Sequence, residues 1–209
     1  MGEFLEKQYE AAKKEEDFGA QLSLANEMAG FYREMTAFDK AREIIEDMYV
    51  LLKDTRVAGT VEEGTSLLNI ANTYRAMERF EESESAYEKA AELYKGTLLP
   101  DDFRLASLYN NVSLLYQAQG NYEQAAQNLL QALEIAKRHP EAEIELAVTY
   151  TNLGQAYFNI QGDAVKKAEA YLKKAEEIFA KGGKKDYHYC GCANALGTLY
   201  FKTGEYGLA

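Results

Sequence analysis

Between Leu105 and Leu133 the chain reads LASLYNNVSLLYQAQGNYEQAAQNLLQAL, with apolar positions at helical rather than strand spacing. Two amphipathic helices are expected here, broken at Gln119-Gly120-Asn121. Tyr116 precedes the turn, and Tyr122, Ala125, Leu129 and Ala132 follow it. The pattern returns along the chain: Tyr32, Tyr74, Tyr116, Tyr157 and Tyr200 stand 42, 42, 41 and 43 residues apart. A fixed period of this size marks an array in which each helix pair buries its apolar face only against its neighbours.

In chain order, residues 3–16 read as one helix with Phe4, Leu5, Tyr9 and Ala12 inward. Helix pairs follow at 21–54, 65–96, 105–138 and 145–181, then a truncated unit at 188–209, all in a single array over 1–209. Met35-Thr36-Ala37 turns the first pair, and a loop from Thr55 to Gly64 resets the register. Asp101 or Asp102 is the expected N-cap of the third pair, and Pro140 closes it, because proline disfavours helical geometry in the residue before it. Tyr157 to Ala168 spans 11 residues where Tyr116 to Ala125 spans 9, so the fourth inner turn is two residues longer. Gly182-Gly183 breaks the chain before the fifth unit. Leu196, Leu199 and Tyr200 are expected to need cover from a further helix, as though the chain were a piece of a longer array.

Composition narrows the partners. A net charge of −11 disfavours nucleic acid and anionic membrane surfaces. No apolar run approaches the roughly 18 residues of a membrane span. The N-terminus, MGEFLEKQYEAAKKEED, has no signal-peptide core, and Glu6 stands where a myristoylation motif wants Ser or Thr. Cys190 and Cys192 are too few for a disulfide framework, which fits a reducing, cytoplasmic setting. His188 beside them does not complete a metal site: zinc wants four convergent ligands, and two thiols two residues apart on a helix diverge. Phosphate loops, nucleophile elbows and HExxH helices are absent. No enzyme, cofactor or metal is expected.

The repeating unit resembles the tetratricopeptide repeat. The resemblance rests on Met28-Ala29-Tyr32-Ala41, Ile70-Ala71-Tyr74 with Ala90, Val112-Ser113-Tyr116-Ala125-Ala132, Leu153-Gly154-Tyr157-Ala168-Ala175 and Leu196-Gly197-Tyr200. A small residue lets helix axes approach closely, and the tyrosine fills the gap to the next helix. Ser83 stands where the second unit would have alanine. The period exceeds the usual ~34 by about eight residues, roughly two helical turns, as in the subclass of kinesin light chains and bacterial regulators. HEAT repeats share the period but lack the small residue–tyrosine–turn pattern. The resemblance implies an all-α, right-handed superhelical solenoid of antiparallel helix pairs, whose first helices line a peptide-binding groove.

The first-helix face is amide-rich. No charged residue occurs from Ala106 to Gln119 or from Ala147 to Gln161. The positions expected to be exposed there are Asn110, Asn111, Gln117, Thr151, Asn152, Gln155 and Asn159, with Phe158 beside them. The acids concentrate in second helices and loops. Asn69, Asn111 and Asn152 precede the large packing residue in three successive units, and Asn26 and Asn194 lie one position earlier in theirs. Asn costs ~0.6 kcal/mol against Ala inside a helix, so its recurrence wants a reason. Either these amides, with Asn72, grip the backbone of an extended ligand, as the resemblance implies, or they serve local hydrogen bonds. Arg33 and Arg75, one residue after their tyrosines, are candidates to meet a ligand carboxylate.

The expected function is a protein- or peptide-binding scaffold. The rival readings are a sensor module of a larger regulator and an oligomerisation segment self-associating through its ends.

Overall fold

The computed structural model describes residues 1–182, 187–205 and 207–208. Gly183 and Ala209, which figure in the expected chain break and in the end of the fifth unit, lie outside the described residues. Ten α-helices, and no strand, occur among the described residues. The chain divides into two compact units, Met1–Leu99 and Pro100–Ala209.

Unit 1 holds α1 (Gly2–Lys14), α2 (Phe18–Glu34), α3 (Phe38–Leu51), α4 (Val61–Ala76) and α5 (Phe80–Thr97). Each sequential pair packs except α3 with α4, which barely touch, and the first helices α2 and α4 lie side by side. Unit 2 holds α6 (Phe103–Ala118), α7 (Tyr122–Ala136), α8 (Glu143–Ile160), α9 (Ala164–Lys181) and α10 (Tyr187–Thr203). Here too each helix packs on the next, and α8 packs beside α10 while touching α6 only lightly. Within each unit this is the hairpin-on-hairpin stacking of a helical solenoid.

One turn geometry recurs. The backbone N–H of Ala37, Arg79, Asn121 and Glu205 donates to the carbonyl of Tyr32, Tyr74, Tyr116 and Tyr200 respectively, at 2.8–2.9 Å. A left-handed residue precedes each donor: Thr36 (φ 53°), Glu78 (58°), Gly120 (78°) and Gly204 (83°). This is a Schellman closure, which satisfies a carbonyl that the ending helix leaves orphaned. The repeat tyrosine thus marks the turn by its backbone as well as by its ring. The fourth hairpin departs from the rule: Gln161 and Gly162 both take positive φ in its longer turn.

Small residues sit at the helix crossings as the repeat pattern requires. Ala29, Ala71 and Ser113 are fully buried. A Cβ on Gly154 would stand 2.4 Å from Leu172 Cγ across the α8–α9 crossing. Ser83 is compatible with its buried position because its hydroxyl donates to the Ala71 carbonyl at 2.9 Å. The tyrosine rings reach neighbouring second helices: Tyr32 Oη donates to Glu6 on α1 at 2.6 Å, and Tyr200 Oη to Glu169 on α9 at 3.2 Å.

Four expectations need correction. Phe4 is not inward but 60% exposed, while Leu5, Tyr9 and Ala12 form the buried stripe of α1. The loop after the first pair ends at Thr60, not Gly64. Thr60 caps α4 by accepting from the Glu63 N–H, and Gly64 lies inside the helix against the ring of Tyr94. Leu196, Leu199 and Tyr200 need no further helix, since they are already buried in the core that α8, α9 and α10 share. Thr151 is buried rather than exposed, and its hydroxyl is satisfied by the Ala147 carbonyl one turn back. Asp102 is the N-cap of α6, accepting from Arg104 N at 2.9 Å.

Candidate functional site

The asparagines that recur on first helices mostly bond to one another. In unit 1, Asn26 Nδ2 donates to the Leu22 carbonyl and to Ser66 Oγ, both at 2.9 Å, and Asn69 Nδ2 donates to Asn26 Oδ1 at 2.7 Å. Unit 2 repeats the arrangement. Asn110 Nδ2 donates to the Ala106 carbonyl and to Thr149 Oγ1, and Asn152 Nδ2 donates to Asn110 Oδ1 at 3.4 Å. These amides stitch α2 to α4 and α6 to α8, leaving Asn69 and Asn152 one donor hydrogen each, besides the oxygen. Asn111 donates back to the Ser107 carbonyl of its own helix at 2.9 Å.

One to two turns C-terminal to the stitch in unit 2, the first helices open a cavity of about 280 Å³. Gln117 of α6, Gln155, Phe158 and Asn159 of α8, and Asn194 and Thr198 of α10 surround it, and Leu172 of α9 forms its floor. Four residues named from sequence on these faces, Gln117, Gln155, Phe158 and Asn159, therefore converge. Asn159 donates to the Gln155 carbonyl at 2.9 Å, which fixes its own amide rather than that of Gln155. Gln117 Nε2 is buried and has no hydrogen-bond partner among the described residues. A buried amide left so is costly by about 1–3 kcal/mol, so this donor favours any acceptor that enters the cavity. Asn194 and Thr198 were missed as lining because they follow the pattern only weakly. Asn194 was noticed for its offset, and the contribution of Thr198 depends on how α10 lies against α8.

Unit 1 has cations near the corresponding positions. Arg33 and Arg75 each follow a repeat tyrosine, as Gln117 does in unit 2. Arg33 Nη1 and Arg75 Nε are both buried without a hydrogen-bond partner among the described residues. Tyr87 of α5 is 2% exposed and donates to Asn72 Oδ1 at 2.6 Å. Burial raises the Tyr87 phenol above its ordinary pKa, against the opposing charge and hydrogen bond of Arg75 and the charge of Arg33. Both guanidinium groups therefore act on one phenol.

No group of three or more His, Cys, Asp or Glu residues placed to hold a metal occurs among the described residues. Cys190 is exposed; Cys192 is buried against the Leu172 carbonyl, and burial pushes its thiol up, away from the reactive thiolate. No described helix is long and apolar enough to cross a membrane.

No curated protein matches the sequence. Among solved structures, BtubC (BKLC) from P. vanneervenii superposes with a TM-score of 0.77 at 20% identity, covering 98% of this chain and 86% of that one. A kinesin light chain-type protein of nearly identical TPR-like repeats from Podosopora anserina gives 0.73 at 20% identity, covering 90% of this chain and 89% of that one. The apo form of RapI gives 0.69 at 19% identity, covering 95% of this chain but 55% of that one. At such identities the likeness is one of fold. Residues 62–138 also match the sequence model of the tetratricopeptide repeat. With the small residue–tyrosine–turn pattern on both sides of that segment and a solenoid matched over nearly the whole length, the chain has a tetratricopeptide-like fold, and its residues 62–138 are similar to the tetratricopeptide repeat in sequence as well.

Proposed function

We propose that the chain is a protein-interaction scaffold that docks an extended peptide segment on its first-helix faces, with no catalytic step. The observation that carries this reading is the unit 2 cavity, where an unpartnered buried amide, three further amides and a hydroxyl surround an aromatic side chain over an apolar floor. That mixture suits a peptide. Gln117 Nε2 and the amides of Gln155 and Asn194 meet backbone carbonyls and N–H groups, while Phe158 and Leu172 take one apolar side chain. The stitched amides Asn69 and Asn152 offer a remaining hydrogen each to the same ligand backbone, Asn111 adds its oxygen, and in unit 1 Asn72 completes the set. The acidic second helices (Glu81, Glu82, Glu84, Glu88 and Glu92 on α5, for example) leave these faces the less charged ones. The net charge of −11 supports a protein rather than a nucleic-acid or membrane partner, and two cysteines without a disulfide framework support a cytoplasmic setting.

The test is selection of binders from a random-peptide display library, followed by titration against Gln117→Ala and Phe158→Ala. Loss of affinity of about tenfold or more in both, with helicity retained, supports the reading. Selected peptides that bind both variants as well as the parent would refute it. A second reading, self-association, is favoured by the 63% exposure of Phe201 on α10; a mass that rises with concentration in light scattering and returns to monomer in Phe201→Ser would support it.

A further inference from the structure

Three carboxylates of the chain are held in the same way. Asp47 Oδ2 accepts from Tyr9 Oη at 3.0 Å and from Lys13 Nζ at 2.9 Å. Glu6 Oε1 accepts from Tyr32 Oη at 2.6 Å and from Lys40 Nζ at 2.7 Å. Glu169 Oε1 accepts from Tyr200 Oη at 3.2 Å and lies 2.6 Å from Lys173 Nζ. Each time a phenol and an ammonium meet on one oxygen. In the first two the ammonium also lies over the ring of its phenol, 4.4 Å from the Tyr9 centroid and 5.5 Å from that of Tyr32.

The fourth hairpin has phenols and ammonium groups in this arrangement without the carboxylate. Lys40 follows Tyr32 by eight residues, and Lys167 follows Tyr157 by ten, across the turn that is two residues longer. Lys167 Nζ stands 5.4 Å from the Tyr157 centroid, as Lys40 does from Tyr32. Tyr171 of α9 inserts between Tyr150 and Tyr157 of α8, with centroids 5.9 and 5.6 Å away and rings 26° and 9° from parallel. A seven-residue step along a helix is about 10.5 Å, which admits one ring between two. Lys174 lies over Tyr150 and Tyr171 at 5.6 and 5.7 Å. Burial, and then the Tyr157 phenol, raise the Tyr171 phenol above its ordinary pKa, while the charge of Lys137 opposes them. Lys137 and Lys173 have Glu134 and Glu169, but neither Lys167 nor Lys174 pairs with a carboxylate among the described residues. The hydroxyls of Tyr150, Tyr157 and Tyr171 make no hydrogen bond there either, and none of them is left buried.

We propose that the seam of α8 and α9 is a docking surface for an acidic segment of a partner protein, with Tyr157 and Lys167 receiving one carboxylate and Tyr150, Tyr171 and Lys174 a second. The chain's own clasps show what such a set of donors takes: one phenol O–H and one N–H on a single carboxylate oxygen. In a chain of net charge −11, cations without acids of their own are the complement of an acidic partner. Lys167 and Lys174 are seven residues apart, as are Tyr150 and Tyr157, so the matching segment is a helix with two glutamates at the same spacing. On α8, Tyr150 and Tyr157 are turned by roughly 80–160° from Gln155, Phe158 and Asn159 of the amide cavity. The surface is therefore separate from the first-helix groove and does not depend on it.

The experiment follows the lysine ε-methylene and tyrosine ring resonances of the whole chain by NMR during titration with two alanine–glutamine helical peptides of equal charge. One carries two glutamates seven residues apart, on one face. The other carries them five apart, on faces about 140° from each other. Saturable shifts at Lys167, Lys174 and Tyr171 are expected with the first peptide, with weaker binding of the second and loss of affinity as salt rises. Lys167→Gln and Lys174→Gln should each weaken the first peptide about two- to fivefold, as exposed ion pairs do. Tyr171→Phe, which keeps the ring column and removes one hydroxyl, should weaken it about two- to tenfold. Lys166→Gln removes an exposed charge of α9 that lies over no ring, and should matter less than either. Shifts that fail to saturate, equal affinity of the two peptides, equal losses in Lys166→Gln and Lys167→Gln, or tighter binding of inorganic triphosphate would overturn the proposal.

Discussion

Gly154→Ala is the sharpest test of the packing that shapes the cavity. The new methyl would lie 2.4 Å from Leu172 Cγ, 2.7 Å from Leu172 Cδ2 and 3.2 Å from the Ala168 carbonyl oxygen. Leu172 is 1% exposed and can give way only towards the cavity whose floor it forms, and the carbonyl is helix backbone that moves only with α9. Overpacking of this kind costs about 1–3 kcal/mol. Alanine returns about 1 kcal/mol of helix propensity over glycine, which leaves a net loss of up to about 2 kcal/mol. Gly96→Ala on α5 is the matched control, since a Cβ there meets nothing within 4 Å and its φ is ordinary. That variant should gain up to about 1 kcal/mol by propensity alone. The difference between the two, about 1–3 kcal/mol, therefore reports the helix crossing itself. Equilibrium urea unfolding followed by circular dichroism measures both, with m-values checked for loss of two-state behaviour, as repeat arrays can unfold in parts. If Gly154→Ala stabilises the chain as much as Gly96→Ala does, the close-approach argument is wrong.

Two further outcomes follow from the same structure. Asn110→Ala removes the acceptor of Asn152 and the donor to Thr149, and should cost about 1–2 kcal/mol in urea unfolding. Asn111→Ala loses only a bond within its own helix and should be neutral, or stabilising by ~0.6 kcal/mol; equal losses in the two would contradict the stitch. His139 bonds the Asp101 carbonyl at 2.7 Å and Glu141 at 3.0 Å, and these, in that order, raise its pKa against desolvation. A raised folded pKa means its contribution is complete below the ordinary histidine range and fades as pH climbs through the folded value. The urea midpoint of the parent should accordingly rise as pH is lowered from ~8 to ~6, with His139→Gln showing a flatter profile; parallel profiles would exclude the clasp.

Much of the fold was legible because two constraints repeat. The small residue at the crossing and the tyrosine four positions before a left-handed residue recur whichever surface side chains surround them, so the period exposes the hairpins directly. Cap and turn residues were also readable, as Asp102 and Gly120 demonstrate. The role of the asparagines was not. Aligning Asn69, Asn111 and Asn152 as equivalents emphasises their common distance to the packing residue. The bonds instead join Asn26 to Asn69 and Asn110 to Asn152, 43 and 42 residues apart, because the residue on one helix's trailing flank meets the leading flank of the next. The one-residue offset of Asn26 is what brings its amide to that of Asn69. Tyr87 escaped notice for a related reason: its ring belongs to a second helix and counts as core by pattern, while its hydroxyl reaches Asn72 of the first helix α4. Phe4 was misassigned because helical spacing admits it to the stripe of α1, and only the position of α2 decides which edge of that stripe is covered.

The amide stitches also act as an index. An apolar contact between neighbouring helices tolerates a slide of part of a turn, since one methyl group replaces another at little loss. Two asparagines hydrogen-bonded across an interface do not: displaced from register, each would be left half-buried with an unmatched donor or acceptor. Polar pairs in coiled coils fix alignment in this way at some expense of stability. Asn26–Asn69 and Asn110–Asn152 therefore set the phase of hairpin against hairpin in their own units. A hairpin grafted from elsewhere would lock into place only if its asparagine arrived at the matching height.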